Sequence, residues 1–213
     1  MDINEFKQLP IMGILRGIGA DQIEPLVETA SSSGLRTLEI AMNTSDAPRL
    51  IRRAKEVAGG RLTIGAGTVL TMDDLESALD AGATFIVLPT LVPDVVNYCA
   101  DRAIPVFPGA LTPQEIYNAW CARATMVKVF PAKFFGPAYF QEIKGPFEEV
   151  ELLACGGVTA DNIRSFFACG ASAVAFGASV FKKEWLDARE FARIGEGIQA
   201  LIAGFRLGAE GSR

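Results

Sequence analysis

The chain has no histidine among its 213 residues. Histidine is the commonest metal ligand and the side chain most used for proton transfer near neutral pH. Its absence argues against zinc-dependent chemistry and leaves acid–base work to a carboxylate, a lysine, a tyrosine or water. Cysteine is scarce and scattered: Cys99, Cys121, Cys155 and Cys169 form no CxxC pair, so no redox or zinc motif is present and buried free thiols are expected. No window approaches the roughly 18 consecutive apolar residues of a membrane span, and the opening MDINEFKQLP lacks the apolar stretch of a signal peptide. Long basic runs are missing too, and the formal net charge of -5 argues against a broad nucleic-acid-binding face. The expectation is a soluble cytoplasmic protein that acts on a small acidic solute, with neither nucleic acid nor membrane as a partner.

What the chain does have is apolar sequence, 50% by count, enough for one sizeable core, and no linker or low-complexity segment divides residues 1–213. Strand-length apolar runs alternate with helical patterns: IMGILRG (11–17), TLEIAMN (37–43), LTIGAGTV (62–69), FIVLPT (85–90), PVFPGA (105–110), MVKVFPA (126–132), VELLACGG (150–157) and AVAFGASV (173–180). Helix starts fall between them at Thr71 with Asp74, Thr112 with Pro113 and Glu115, and Thr159 with Asn162. Gly82 and Gly170 supply helix ends. Apolar strands that each return through a helix imply a parallel sheet with right-handed crossovers. Eight such units predict a single-domain α/β protein, a (β/α)8 TIM barrel, with a short helix before Pro10 closing its bottom. The tail GAEGSR (208–213) is expected to fray. An open doubly wound sheet is the alternative, and the GxGxxG fingerprint it would carry after the first strand is absent.

In a barrel, chemistry sits at the carboxyl ends of the strands. Those ends carry Arg16, Glu39 with Asn43, Thr68, Pro89 with Thr90, Lys128, Gly156 with Gly157, and Gly177 with Ser179. The glycine-bearing ends of the last two strands place backbone N–H groups beside helix starts, an arrangement suited to a phosphate, although tight turns alone would also use these glycines. Lys128 is the sharper signal. Strand alternation sets Met126, Lys128 and Phe130 on one face and Val127 and Val129 on the other. An outward Lys128 would meet apolar helices; an inward one would be a desolvated amine near the pocket, able to form a Schiff base with a ketone or aldehyde. A buried ion pair with Glu39 also explains an internal lysine. Glu39, the one ionisable residue in its strand, is the candidate acid and base. Arg16 is suited to a substrate carboxylate, with pairing to Glu39 as the alternative, and Thr68 offers the same carboxylate a hydroxyl. Lys7, Lys55, Lys133, Lys144, Lys182 and Lys183 read as solvated charges.

The segments ILRGI, LEIAMNTS, GAGTVL, VKVFPAKFFGP, CGGVTADNI and FGASVF, in this order and spacing, resemble the 2-keto-3-deoxy-6-phosphogluconate and 6-phosphogalactonate aldolases over about residues 9–205. The resemblance implies a class I aldolase on a (β/α)8 barrel, a homotrimer needing no metal or organic cofactor. It would convert a phosphorylated 2-keto-3-deoxy sugar acid to pyruvate and glyceraldehyde 3-phosphate. By position, Lys128 resembles the Schiff-base lysine and Glu39 the general acid and base. Thr68 and Pro89 resemble the pocket for the pyruvate half, and Phe130 the aromatic beside it. Gly156, Gly157, Gly177, Ala178 and Ser179 correspond to the phosphate site. Two positions bear on the C4 epimer. Asn43 fits the galactonate branch, where the gluconate branch carries arginine. Cys155 matches neither the threonine of one branch nor the apolar residue of the other, though it is the closer to apolar. The galactonate substrate is the expectation. The gluconate epimer, broad 4-hydroxy-2-oxoacid cleavage, and a sugar-phosphate binder without turnover are the alternatives.

Overall fold

The computed structural model describes residues 1–210, in which strands and helices alternate as the apolar pattern requires. The strands are β1 (Ile11–Leu15), β2 (Thr37–Ala41), β3 (Thr63–Gly67), β4 (Ile86–Val87), β5 (Val106–Phe107), β6 (Gly109–Ala110), β7 (Val127–Val129), β8 (Leu152–Cys155) and β9 (Ala173–Phe176). A short helix α1 (Ile3–Gln8) precedes them. The helices that follow are α2 (Ile23–Ser32), α3 (Ala47–Ala58), α4 (Met72–Asp80), α5 (Pro93–Asp101), α6 (Pro113–Cys121), α7 (Pro137–Lys144), α8 (Ile163–Ala168), α9 (Lys183–Asp187) and α10 (Phe191–Glu210).

All neighbouring strands pair in parallel, in the order β5-β4-β3-β2-β1-β9-β8-β7-β6. The two ends of that order are halves of one chain segment. Val106 pairs with Ile86 on one side, and Gly109 pairs with Lys128 on the other. The ring is therefore closed, and its eight staves appear as nine strand segments because Pro108 interrupts the fifth. Proline has no N–H to give a ladder, but its carbonyl still accepts from the Lys128 N–H at 2.9 Å. The fold is the (β/α)8 barrel that the sequence predicts.

Alternation along each strand divides the core in two. Leu38 and Ile40, Val127 and Val129, Leu152 and Ala154, and Val174 and Phe176 face the helices in one apolar cluster. Met12, Phe85, Val87, Phe107, Met126, Leu153, Cys155, Ala173 and Ala175 fill the barrel with Phe6, which α1 inserts among them. Phe107 meets Phe6 and Phe85 edge-on, with ring centroids 6.1 and 6.0 Å apart. Gly65 makes this layer possible: a Cβ there would lie 2.4 Å from the Phe85 ring. The amino-terminal end of the barrel is thus packed solid, and any site must lie at the other end.

The helix signals at Thr71 and Thr112 are capping boxes closed by Asp74 and Glu115. Thr159 behaves differently. The Asn162 Oδ1 accepts from the Thr159 N–H at 2.8 Å, and α8 begins only after Asn162, so this pair shapes a turn rather than capping the first helical residues. Gly82 and Gly170 both sit at φ +96°, as helix ends require. All four cysteines are free, but only Cys99 and Cys155 are buried; Cys121 is exposed and Cys169 half-buried. Burial lifts the Cys99 thiol to about 11. No helix among the described residues is long and apolar enough to cross a membrane. The expected fraying covers 208–213: α10 continues through Glu210, so 208–210 are helical, and 211–213 lie outside the described residues.

Candidate active site

Lys128 stands on the inner face of β7, 4% exposed, and its amine lies 5.4 Å from the centroid of the Phe130 ring two residues on. Its strand neighbours Val127 and Val129 face outward, so backbone alternation alone directs it into the barrel. Glu39 occupies the equivalent inner position on β2 and is fully buried. Its side chain leans along the strand toward the carboxyl end and fills the space above Gly67: a Cβ there would fall 1.6 Å from Glu39 Oε1. The glycine is thus a steric requirement of the carboxylate, and no other residue leaves room for it.

Neither carboxylate oxygen of Glu39 has a hydrogen-bond partner, and among the described residues no ion pair joins Glu39 to Lys128 or Arg16. Buried polar atoms are nearly always satisfied, so two orphaned oxygens in one side chain mark a group whose partner lies outside the chain. Burial raises the Glu39 carboxyl above its ordinary range, and the nearby charges of Lys128 and Arg16 oppose that rise. Cys155, 3% exposed on the adjoining β8, has its thiol raised for the same reason, with Lys128 again the main opposing influence.

Arg16 follows β1 and gives its Nη2–H to Thr68 Oγ1 at 3.2 Å, rather than pairing with Glu39. Thr68 sits at φ +56°, in a region that β-branched residues seldom occupy. That conformation turns the chain at the end of β3 and presents the hydroxyl to Arg16. Backbone strain of this kind concentrates at functional sites. Gly17 is fixed beside it, its N–H donating to the buried Thr44 hydroxyl at 3.0 Å.

A cleft of about 1010 Å³ opens at this end of the barrel. Of the residues singled out from sequence, Arg16, Lys128, Phe130, Cys155, Gly156, Gly157, Gly177, Ala178 and Ser179 line it. Glu39 is fully buried and is not part of the lining, and Thr68 reaches the cleft through its bond to Arg16. Pro89 is not on this lining. Its C and O atoms press against Gly109, where a Cβ would come within 2.2 Å of both. Gly156 and Gly157, at φ +91° and +84°, turn the chain after β8. Asn162 braces the turn, its Nδ2–H donating to the Gly157 carbonyl at 2.9 Å. The buried Ser179 hydroxyl has no hydrogen-bond partner among the described residues.

Lys133 and Lys183 also reach the cleft, together with Asp187 and Gln22. From sequence both lysines read as solvated charges. They are exposed, but the ends of the adjoining elements turn them toward the cavity. The one signal in the sequence was placement: each follows a strand's carboxyl end by a few residues.

Known proteins resemble this chain in sequence and in structure. The family model "Aldolase: KDPG and KHG aldolase" matches residues 3–197. A protein of Rhizobium meliloti (strain 1021), named probable 2-dehydro-3-deoxy-6-phosphogalactonate aldolase, is 33% identical over 174 residues, 81% of this chain and 82% of the relative. A Haemophilus influenzae protein named 2-dehydro-3-deoxy-phosphogluconate aldolase is 32% identical over 205 residues, 94% of each. The solved structure described as "Native KDPGal structure" superimposes with a TM-score of 0.88 at 26% identity, covering 95% of this chain and 97% of its own.

The raised Glu39 carboxyl has a consequence for stability. The fold holds that proton more tightly than the unfolded chain does, so the associated stabilisation is full below the unfolded-chain pKa. It is lost as pH rises through the folded one. Glu39→Gln removes this titration. Denaturant unfolding across a pH series should therefore show the variant gaining stability relative to the parent as pH rises; a constant difference would contradict the raised value.

Proposed function

The chain belongs to the KDPG and KHG aldolase family, and from that premise we propose that it is a class I aldolase cleaving 2-dehydro-3-deoxy-6-phosphogalactonate to pyruvate and D-glyceraldehyde 3-phosphate. The observation that carries the reading is the pair of Lys128 and Glu39, both buried in the barrel and not bonded to each other. An ion pair would have spent each on the other. Left apart, an amine and a carboxyl are available to a ligand.

Lys128 Nζ attacks the C2 ketone, and loss of water with a proton from Glu39 gives an iminium. The iminium takes up the electrons of the C3–C4 bond as that bond breaks, while the C4 hydroxyl gives its proton to Glu39. A carboxyl raised by burial suits both halves of this exchange, since it binds a proton readily and releases it to a stronger base. The aldehyde phosphate departs, the enamine is protonated at C3, and water hydrolyses the iminium to pyruvate. Arg16, oriented by Thr68, takes the substrate carboxylate. Phe130 bounds the pyruvate half, and Gly156, Gly157, Gly177, Ala178 and Ser179 take the phosphate. No metal or organic cofactor has a step in this sequence.

Cys155 borders the chain of carbons beyond C3 and bears on the choice between C4 epimers. A thiol is a weak hydrogen-bonder and leaves a C4 hydroxyl without the donor that threonine would give. This favours the galactonate over the gluconate epimer, the named substrate of the Haemophilus relative. The large exposed apolar side chains of Leu70 and Phe135 support the expected homotrimer, in which a neighbouring chain covers part of this surface.

Incubation with pyruvate and borohydride should leave a reduced adduct on Lys128, located by peptide mass. Lys128→Met, similar in volume but without the amine, should keep the fold and lose both adduct and turnover; turnover retained would refute the assignment. Measured side by side, kcat/KM should be higher for the galactonate epimer, and the reverse order would assign the gluconate reaction. Light scattering should give a particle of three 22.8 kDa chains; a monomer would refute the trimer.

A further inference from the structure

We infer that Lys133 and Lys183 clasp the substrate's phosphate from two sides of the cleft, and that Asp187 holds Lys183 as a competitor the phosphate must displace. This rests on the aldolase reading of the same cleft. The glycine turns offer backbone N–H groups and Ser179 offers a free hydroxyl, but none of these carries charge. A dianion needs charge as well as donors to leave water.

The cleft supplies it. Its lining holds four cations, Arg16, Lys128, Lys133 and Lys183, against the single carboxylate of Asp187, in a chain whose net charge is -5. Such a local reversal of sign draws anions to the cavity. Arg16 is engaged with Thr68, and Lys128 lies buried beside Glu39. The two remaining cations line the same cleft as the glycines. Lys133 is pinned there by its stem, because the position a Gly157 Cβ would take is 2.5 Å from Lys133 Cβ. Its ammonium rests 5.1 Å from the Phe134 ring centroid, and among the described residues no hydrogen bond or ion pair engages it.

Lys183 begins α9 and is bonded to Asp187 one turn on, Nζ to Oδ2 at 2.7 Å. Both side chains are well exposed, at 87% and 60%. An exposed pair at this spacing is weak, so a phosphate dianion seated on the glycine turn can take the ammonium over. A neutral hydroxymethyl group in the same place cannot. The two lysines thus favour phosphorylated over unphosphorylated substrates, and Asp187 tempers that preference by competing for Lys183.

The clasp predicts effects of opposite sign from neighbouring residues. Binding of inorganic phosphate, followed by 31P NMR titration, should weaken about twofold to fivefold in Lys133→Gln and in Lys183→Gln, the range measured for exposed charge pairs. It should tighten by a similar factor in Asp187→Asn. KM for the phosphorylated substrate should follow the same order, with little change for its unphosphorylated counterpart. Phosphate affinity unchanged in the lysine variants, or weakened in Asp187→Asn, would overturn the clasp, as would equal effects on both substrates. Pyruvate trapping on Lys128 needs no phosphate. Its failure in the parent protein would sink the aldolase reading, whereas phosphate titration judges the clasp by itself.

Discussion

The carboxylate of Glu39 occupies the volume that a side chain at position 67 would fill, and the rest of the site depends on that exclusion. With Gly67 in β3, the carboxylate leans toward the open end of the barrel and comes within electrostatic reach of Lys128 and Arg16 without bonding to either. Removing an acid from water is costly, and a direct ion pair would be the simplest compensation. The fold instead protonates the group more readily and leaves its oxygens unclaimed. The solid packing of Phe6, Phe85 and Phe107 beneath keeps the amino-terminal half of the barrel closed and directs chemistry to the other end.

Much of this was legible in the sequence. Alternating apolar strands and helices fixed the barrel, since apolar runs covered on both faces have few other solutions. Lys128 announced itself because charge inside an apolar strand has few bland explanations. Glu39 did so for the same reason. Other features lay beyond a one-dimensional reading. The break at Pro108 follows from a missing N–H, but the pattern does not reveal that the carbonyl still pairs. The glycines of GAGTV pointed to a motif, yet their cause is the bulk of residues distant in sequence: Phe85 against Gly65 and Glu39 against Gly67. Asn162 resembled part of a helix cap and serves instead as a brace under Gly157.

Lys133 and Lys183 show a different limit. A lysine outside a strand interior reads as a solvated charge, and both are exposed here as well. Exposure and function are compatible at the rim of a cleft, and only the side-by-side pairing of β7, β8 and β9 brings residues fifty apart in sequence onto one cavity. Cys155 sits between these cases. Its inward position was readable from alternation, but the raised thiol beside Lys128 was not.

The claim at the centre of this account is that Lys128 and Glu39 act together on a carbonyl compound. Pyruvate in D2O tests it without the full substrate, because an enamine on Lys128 exchanges methyl hydrogens for deuterium as Glu39 moves the proton. Proton NMR should show wash-in catalysed by the parent protein, slowed on the order of 10²- to 10⁴-fold in Glu39→Gln, the range typical of a lost acid–base group. No exchange with the parent protein, or exchange at the parent rate in Glu39→Gln, would contradict it.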